Sequence, residues 1–287
     1  MPYAEFGGIS LHYTLTGTGG PPILLLHELG GSSDSWVQVI PLLATGRRVV
    51  ALDLRGAGRS EKPVAPFPLA ALADDAAGLL THLQLGTTDV IGAALGSLVG
   101  VLLAGRHPAL VRRLALFAVA EDMSGPTASY LHERAARVRD GGMRVAVDAS
   151  LANAFPPAFE AARTAYRPQW LGNDPIGYAL LSAALAEASL DAAVWQAVQA
   201  PTLVASGALD FIWPPERGRA TAALIAGAQF TELTEAGHFP HLQTPAAVAA
   251  LVGAFFSADG TATRPTSRNP KRSPLPPLSS TPGSGRC

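Results

Sequence analysis

The sequence predicts an α/β fold: a mostly parallel central sheet flanked by helices, with a helical cap inserted between two of its strands. Three observations carry that expectation. Over the first 259 residues, short and almost uniformly apolar runs alternate with helical segments, as strands covered on both faces must. The alternation breaks once, between residues 121 and 200, where Ala-rich helical sequence continues without a clear strand, too long for an ordinary connection. A chain of 287 residues with 48% apolar side chains can also bury one substantial core.

The elements follow in order. Strands are expected at residues 11–15, 23–26, 48–52, 89–91, 114–118, 202–205 and 230–233. Helices are expected at 35–43, 69–83, 95–107, 215–225 and 245–256, with Pro215 and Pro245 suited to first helical turns. The chain therefore divides into a core built from residues 1–120 and 201–259, a cap at 121–200, and a tail at 260–287. The tail has six prolines, five basic residues and no acidic one, a composition that cannot bury an apolar face and is expected to be disordered.

Composition excludes several function classes. The tail carries +5 of a total formal charge of −1, so residues 1–259 carry −6, and nothing in the body recommends a nucleic-acid partner. The only cysteine is Cys287, which leaves no intramolecular disulfide and no Cys-based metal motif. His12, His82, His107 and His132 lack metal-ligand spacing, so neither a metal nor a cofactor is expected. Residues 1–8 have no basic region leading into an apolar run, and no stretch reaches the length of a membrane span. A cytoplasmic protein acting on a small molecule, with no membrane partner, is the expectation.

The chemistry concentrates in turns that follow the strands. After the run at 23–26 comes His27-Glu28-Leu29-Gly30-Gly31-Ser32; after 48–52 comes Asp53-Leu54-Arg55-Gly56-Ala57-Gly58-Arg59-Ser60. Gly92-Ala93-Ala94-Leu95-Gly96 sits between a strand and a helix, Ser206 to Asp210 follows the run at 202–205, and Ala236-Gly237-His238-Phe239-Pro240 follows the run at 230–233. Together these resemble the motif series of the α/β-hydrolases, over about residues 3–257. The resemblance implies an oxyanion loop at His27, a nucleophile elbow of the Gly-x-Ser-x-Gly type at Gly92, and an acid and a histidine in the chain order of that fold. Within it, residues 137–142, 174–178 and 198–210 are similar to 3-oxoadipate enol-lactonases, and the elbow is similar to aminoacrylate hydrolases.

The resemblance assigns roles residue by residue. His238 is the candidate general base and Asp210 its orienting acid. The Leu29 and Leu95 N–H groups are candidate oxyanion donors. Ala94 stands at the nucleophile position, and a methyl group cannot form an acyl-enzyme. His27, Glu28 and Trp170 are candidate substrate-pocket residues; Glu28 could also be a second acid or base, but an exposed or structurally hydrogen-bonded carboxylate is the favoured reading of it. Asp53 and Arg55 are expected to pair in support of their loop, Ser97 to pack, Trp36 to lie in the core, and His241 to support the histidine loop. Asp122 is an alternative acid. If one of Arg134, Arg137, Arg139, Arg163 or Arg167 turns inward, it can clamp a carboxylate. Four readings remain open: direct attack by His238-activated water on a labile lactone, enol ester, enamine or amide; cofactor-free lyase or decarboxylase chemistry; a binding protein without turnover; or an ordinary serine hydrolase carrying Ser→Ala at position 94.

Overall fold

The computed structural model describes residues 2–188 and 190–258. The tail at 260–287, with its expected disorder and Cys287, lies outside the described residues. Eight strands form one sheet in the order β1-β2-β4-β3-β5-β6-β7-β8. They are β1 (Tyr3–Phe6), β2 (Ile9–Thr16), β3 (Ile23–Leu26), β4 (Val49–Leu52), β5 (Thr88–Ala93), β6 (Val111–Phe117), β7 (Thr202–Gly207) and β8 (Gln229–Leu233). From β4 through β8 every pairing is parallel, while β1 and β2 run antiparallel at one edge.

The helices are α1 (Ile40–Leu43), α2 (Leu69–His82), α3 (Leu95–Arg106), α4 (Pro126–Gly141), α5 (Val147–Ala154), α6 (Glu160–Leu171), α7 (Pro175–Ala186), α8 (Ala192–Gln196), α9 (Pro215–Leu224), α10 (Pro240–Gln243) and α11 (Pro245–Ser257). Five of them, α4 to α8, lie in the strandless stretch between β6 and β7 and form the cap.

The period-two alternation of the strands divides the core between two faces. Leu24, Leu26, Val50, Leu52, Val90, Leu114 and Leu116 face α2, α3 and α7. Ile23, Leu25, Val49, Ala51, Ile91, Ala115 and Phe117 face Trp36, α1 and α11. The uniformly apolar runs thus arise because both faces are covered. In β5, which lies between β3 and β6, all six residues are buried.

Two expectations need correction. Strand β1 was not anticipated because it is four residues long and only Ala4 is buried, which leaves no apolar run. The helix expected at 35–43 is instead a single 3₁₀ turn, Ser33–Trp36, followed by the four-residue α1. Ser32 caps that turn reciprocally with Ser35, and Pro41 starts a fresh helical turn rather than continuing the earlier one.

Candidate active site

The elbow is set by backbone packing. Strand β5 ends at Ala93 and α3 begins at Leu95, so Ala94 alone makes the turn, at φ +48° and ψ −110°. An L-residue adopts such a conformation only when its surroundings impose it. Here the Ala94 N–H donates to the Phe117 carbonyl at 2.9 Å. A Cβ on Gly92 would overlap the Gly96 carbonyl, and one on Gly96 would overlap the carbonyl of Leu26. Strand, turn and helix therefore approach more closely than any side chain at either position permits. Ser97 points away from the turn, with its buried hydroxyl donating to the Phe117 carbonyl at 2.8 Å, so it packs as expected and offers no substitute nucleophile.

His238 and Asp210 meet although they lie on different loops. His238 Nδ1 is 2.9 Å from Asp210 Oδ2. The other carboxylate oxygen accepts from the Ile212 and Trp213 N–H groups at 2.8 and 2.9 Å, which fixes the plane of the carboxylate. An ionised acceptor at this distance keeps the proton on Nδ1 and leaves Nε2 as the basic nitrogen. The His238 ring packs against Phe239 and lines a cavity of about 520 Å³, together with Ala94, Leu29, Leu95 and Trp170. Asp122, the alternative acid, instead accepts from the Ser124 N–H on an exposed loop.

Leu29 and Leu95, whose N–H groups are the two candidate oxyanion donors, line the same cavity. The Leu95 N–H opens α3 and the Leu29 N–H lies in the turn after β3. Neither donates to a protein acceptor among the described residues, which is the state of a donor waiting for a ligand oxygen. Gly30, at φ +87°, lets the loop fold back under Trp170. A Cβ there would come within 2.5 Å of the indole Nε1. Asn173 Nδ2 donates to the Gly30 carbonyl at 2.8 Å, and Gln169 Nε2 to the Ser35 hydroxyl at 2.8 Å. The oxyanion loop is thus held from above by the end of α6.

Two of the candidate pocket residues lie elsewhere. His27 is fully buried and does not line the cavity. Its Nδ1 donates to the Glu28 carbonyl at 2.8 Å and its Nε2 accepts from the Leu54 N–H at 3.0 Å, stitching β3 to β4. Glu28 turns behind the loop, also fully buried. Its carboxylate accepts from the Ser35 hydroxyl at 2.8 Å and the Tyr166 hydroxyl at 2.5 Å, and its second oxygen lies 2.9 Å from His241 Nε2. Burial alone would raise this carboxyl, but the His241 charge and its hydrogen bond, aided by the Tyr166 hydroxyl, hold it down at about 2. Glu28 is therefore the structural carboxylate of the two expected alternatives. His241 stacks on the buried Trp36, with ring centroids 4.4 Å apart. Only Trp170, of the three, faces the cavity.

The Asp53–Arg55 pair does not form. Asp53 accepts from His12, the Ser33 N–H and the Arg59 N–H and so ties its own loop to the 3₁₀ turn, while Arg55 reaches Asp75 on α2. The cavity also recruits residues that no motif marks, among them Met123, Tyr130, Ser150 and Trp213, and, of the five cap arginines, Arg134. Trp213 has a signal, since it lies three residues past Asp210; Tyr130 and Arg134 come from α4, Ser150 from α5 and Met123 from the loop before α4, and which of them turn inward is set by tertiary packing. Among the described residues no group of three or more His, Cys, Asp or Glu side chains is placed to hold a metal, and no helix is long and apolar enough to cross a membrane.

Comparison with known proteins matches the fold over most of the chain. A family model described as the alpha/beta hydrolase fold matches residues 21–245. The chain is 30% identical over 261 residues to a 2-hydroxymuconate semialdehyde hydrolase of Pseudomonas sp. (strain CF600), spanning 83% of this chain and 87% of that one. Among solved structures, the enol-lactonase of Burkholderia xenovorans LB400 superposes with a TM-score of 0.84 at 31% identity, covering 89% of this chain and 99% of that one. A thermophilic esterase from Thermogutta terrifontis gives a TM-score of 0.83 at 28% identity, over 88% of this chain and 96% of that one.

Proposed function

Because the chain belongs to the α/β-hydrolase fold family, we propose that it is a cofactor-independent hydrolase of small, labile carbonyl compounds, such as lactones or enol esters, that uses activated water in place of a serine nucleophile. One observation carries the proposal: His238, held by Asp210, lines the same cavity as Ala94, Leu29 and Leu95, the residues whose N–H groups would serve as oxyanion donors. In the proposed reaction a water oxygen attacks the carbonyl carbon while His238 Nε2 takes the water's proton. The carbonyl oxygen gains charge against the two N–H groups, each worth about 3 kcal/mol in comparable hydrolases. The tetrahedral intermediate collapses with that proton passing to the leaving group, and Asp210 stabilises the imidazolium throughout.

Magnitudes limit the substrate. Removing the serine from a hydrolase built around it costs on the order of 10⁶ in kcat, and the remaining groups keep on the order of 10³ over water. Such a site suffices for an activated ester or strained lactone and not for a stable amide. The names of the relatives, a semialdehyde hydrolase, an enol-lactonase and an esterase, support carbonyl hydrolysis as the reaction class. A second reading is favoured by the elbow itself, which keeps a strained φ of +48° at a residue without a hydroxyl: the site is a serine-hydrolase frame carrying Ser→Ala.

The test is steady-state and single-turnover hydrolysis of 4-nitrophenyl acetate and of an enol-lactone. Turnover without a burst, lost at least a hundredfold in His238→Ala and reduced in Asp210→Asn, supports direct water attack; unchanged turnover in both variants sinks it. Ala94→Ser separates the readings. If only the serine variant hydrolyses esters, with a burst and a covalent phosphonate adduct, the second reading holds.

A further inference from the structure

A fully buried pair, Glu28 and His241, joins the two loops whose groups meet in the cavity. Their contact, 2.9 Å from Glu28 Oε2 to His241 Nε2, is among the described residues the one hydrogen bond between the oxyanion loop at 27–32 and the histidine loop at 236–243. Neither side chain lines the cavity, and the proposed reaction uses neither. A buried pair of this kind is a poor source of stability, because an apolar pair of similar volume is often at least as stable. What hydrogen-bonded partners supply and apolar ones do not is a fixed distance and direction.

The backbone shows what the pair aims. The Gly31 N–H donates to the Glu28 carbonyl at 3.0 Å and closes a turn over residues 28–31, with Gly30 at φ +87° as its third residue. Leu29 is the second residue, whose N–H such a turn leaves outside the closing hydrogen bond. The direction of that N–H therefore follows the residue that begins the turn. Glu28 is held at both ends: its carbonyl also accepts from His27 Nδ1, and its carboxylate takes the Ser35 and Tyr166 hydroxyls besides His241. On the other loop, His241 lies three residues past His238. Its Nδ1 has no hydrogen-bond partner among the described residues, so Glu28 is the polar tether of the ring. The Phe239 ring lies 4.8 Å from that of His238 and 6.0 Å from that of His241, which links the two histidines by packing.

We propose that Glu28 and His241 are positioning residues that act as one unit, holding the Leu29 N–H and the His238 ring at a fixed separation across the cavity. The consequence for turnover rests on the hydrolase reading; the tie between the loops does not. A misplacement on the order of 1 Å can cost about a hundredfold in rate, so a link remote from the reacting atoms can still govern kcat.

The test begins with geometry, which needs no turnover. In the full chain labelled with 15N-leucine, amide relaxation is measured at Leu29 and at Leu95, the latter on α3 as internal control. Both are expected to give order parameters of about 0.85 in the unaltered protein. The decisive variant is the double substitution Glu28→Leu/His241→Phe, which keeps volume and burial without the tie and is expected to fold. Its Leu29 value is expected to fall below about 0.6 with Leu95 unchanged. Glu28→Ala and His241→Ala should each loosen Leu29, and their combination no further than either alone, as two halves of one link must. Glu28→Gln, which keeps hydrogen-bonding atoms in place, should restore most of the order. A Leu29 amide that stays rigid in the folded Leu/Phe variant overturns the proposal, as do alanine effects that add. In a kinetic arm with 4-nitrophenyl acetate, the Leu/Phe variant is expected to lose about a hundredfold in kcat with KM little changed. Loosening of Leu29 with no hydrolysis by the unaltered protein leaves the tie standing and removes the hydrolase reading. Hydrolysis whose kcat survives the loss of the pair does the reverse.

Discussion

Ala94 holds a left-handed conformation at φ +48° that serves no side chain of its own, so glycine there should relieve strain. Ala94→Gly is expected to raise stability by about 1 kcal/mol, read as an increase in Tm; a fall would mean that the turn fits a methyl group. Glu28 makes the opposite kind of contribution. Its depressed pKa means that its stabilisation is complete above the ordinary carboxyl value of 4.5 and is lost as pH falls towards about 2. On the order of 3 kcal/mol is linked to that titration. Glu28→Gln should therefore be the less stable chain at pH 6, and denaturant midpoints of the two proteins should converge as the pH is lowered to 2.5. Parallel curves would show that Glu28 does not titrate within the fold.

At the scale of elements, α6 is the piece on which the oxyanion loop depends. Tyr166 reaches Glu28, Gln169 reaches Ser32 and Ser35, Trp170 closes over Gly30, and Asn173, just past the helix, holds the Gly30 carbonyl. On the proposed mechanism, Asn173→Ala loosens the loop that carries the Leu29 donor without touching substrate. It should lower kcat about tenfold with KM little changed; an effect confined to KM would place Asn173 in binding instead. None of these four contacts is legible in the sequence, because each joins residues well over a hundred positions apart and no local period encodes such a meeting. What was legible came from patterns a few residues long: apolar runs for β3 to β7, glycines on either side of Ala94, and the order of the loops bearing Asp210 and His238. The same logic explains why His27 and Glu28 do not line the pocket: sequence places both after β3, but the direction in which each side chain turns is decided by Leu54, Ser35, Tyr166 and His241.

At the scale of the whole molecule, the end of the sheet remote from the cavity has an anchor of its own. Asp89, at the start of β5, is fully buried and pairs with Arg47 from the turn before β4 and with Arg112 on β6. Arg112 also donates to the Phe256 carbonyl at 3.2 Å, near the end of α11. Asp89→Ala leaves two half-buried cations without their common partner and is expected to cost about 3 kcal/mol, measured by denaturant unfolding, while activity per folded molecule is unchanged because the cavity lies at the other strand ends. The closure of Trp170 over Gly30 has a wider consequence for how this chain can change over generations. A cap residue altered to admit a new substrate sits on the same helix turn that clamps the loop beneath it. Substitutions in α6 and in the His27 to Ser32 loop should consequently be tolerated in matched pairs and fail singly, so that a shift in what the protein accepts requires both segments to change together.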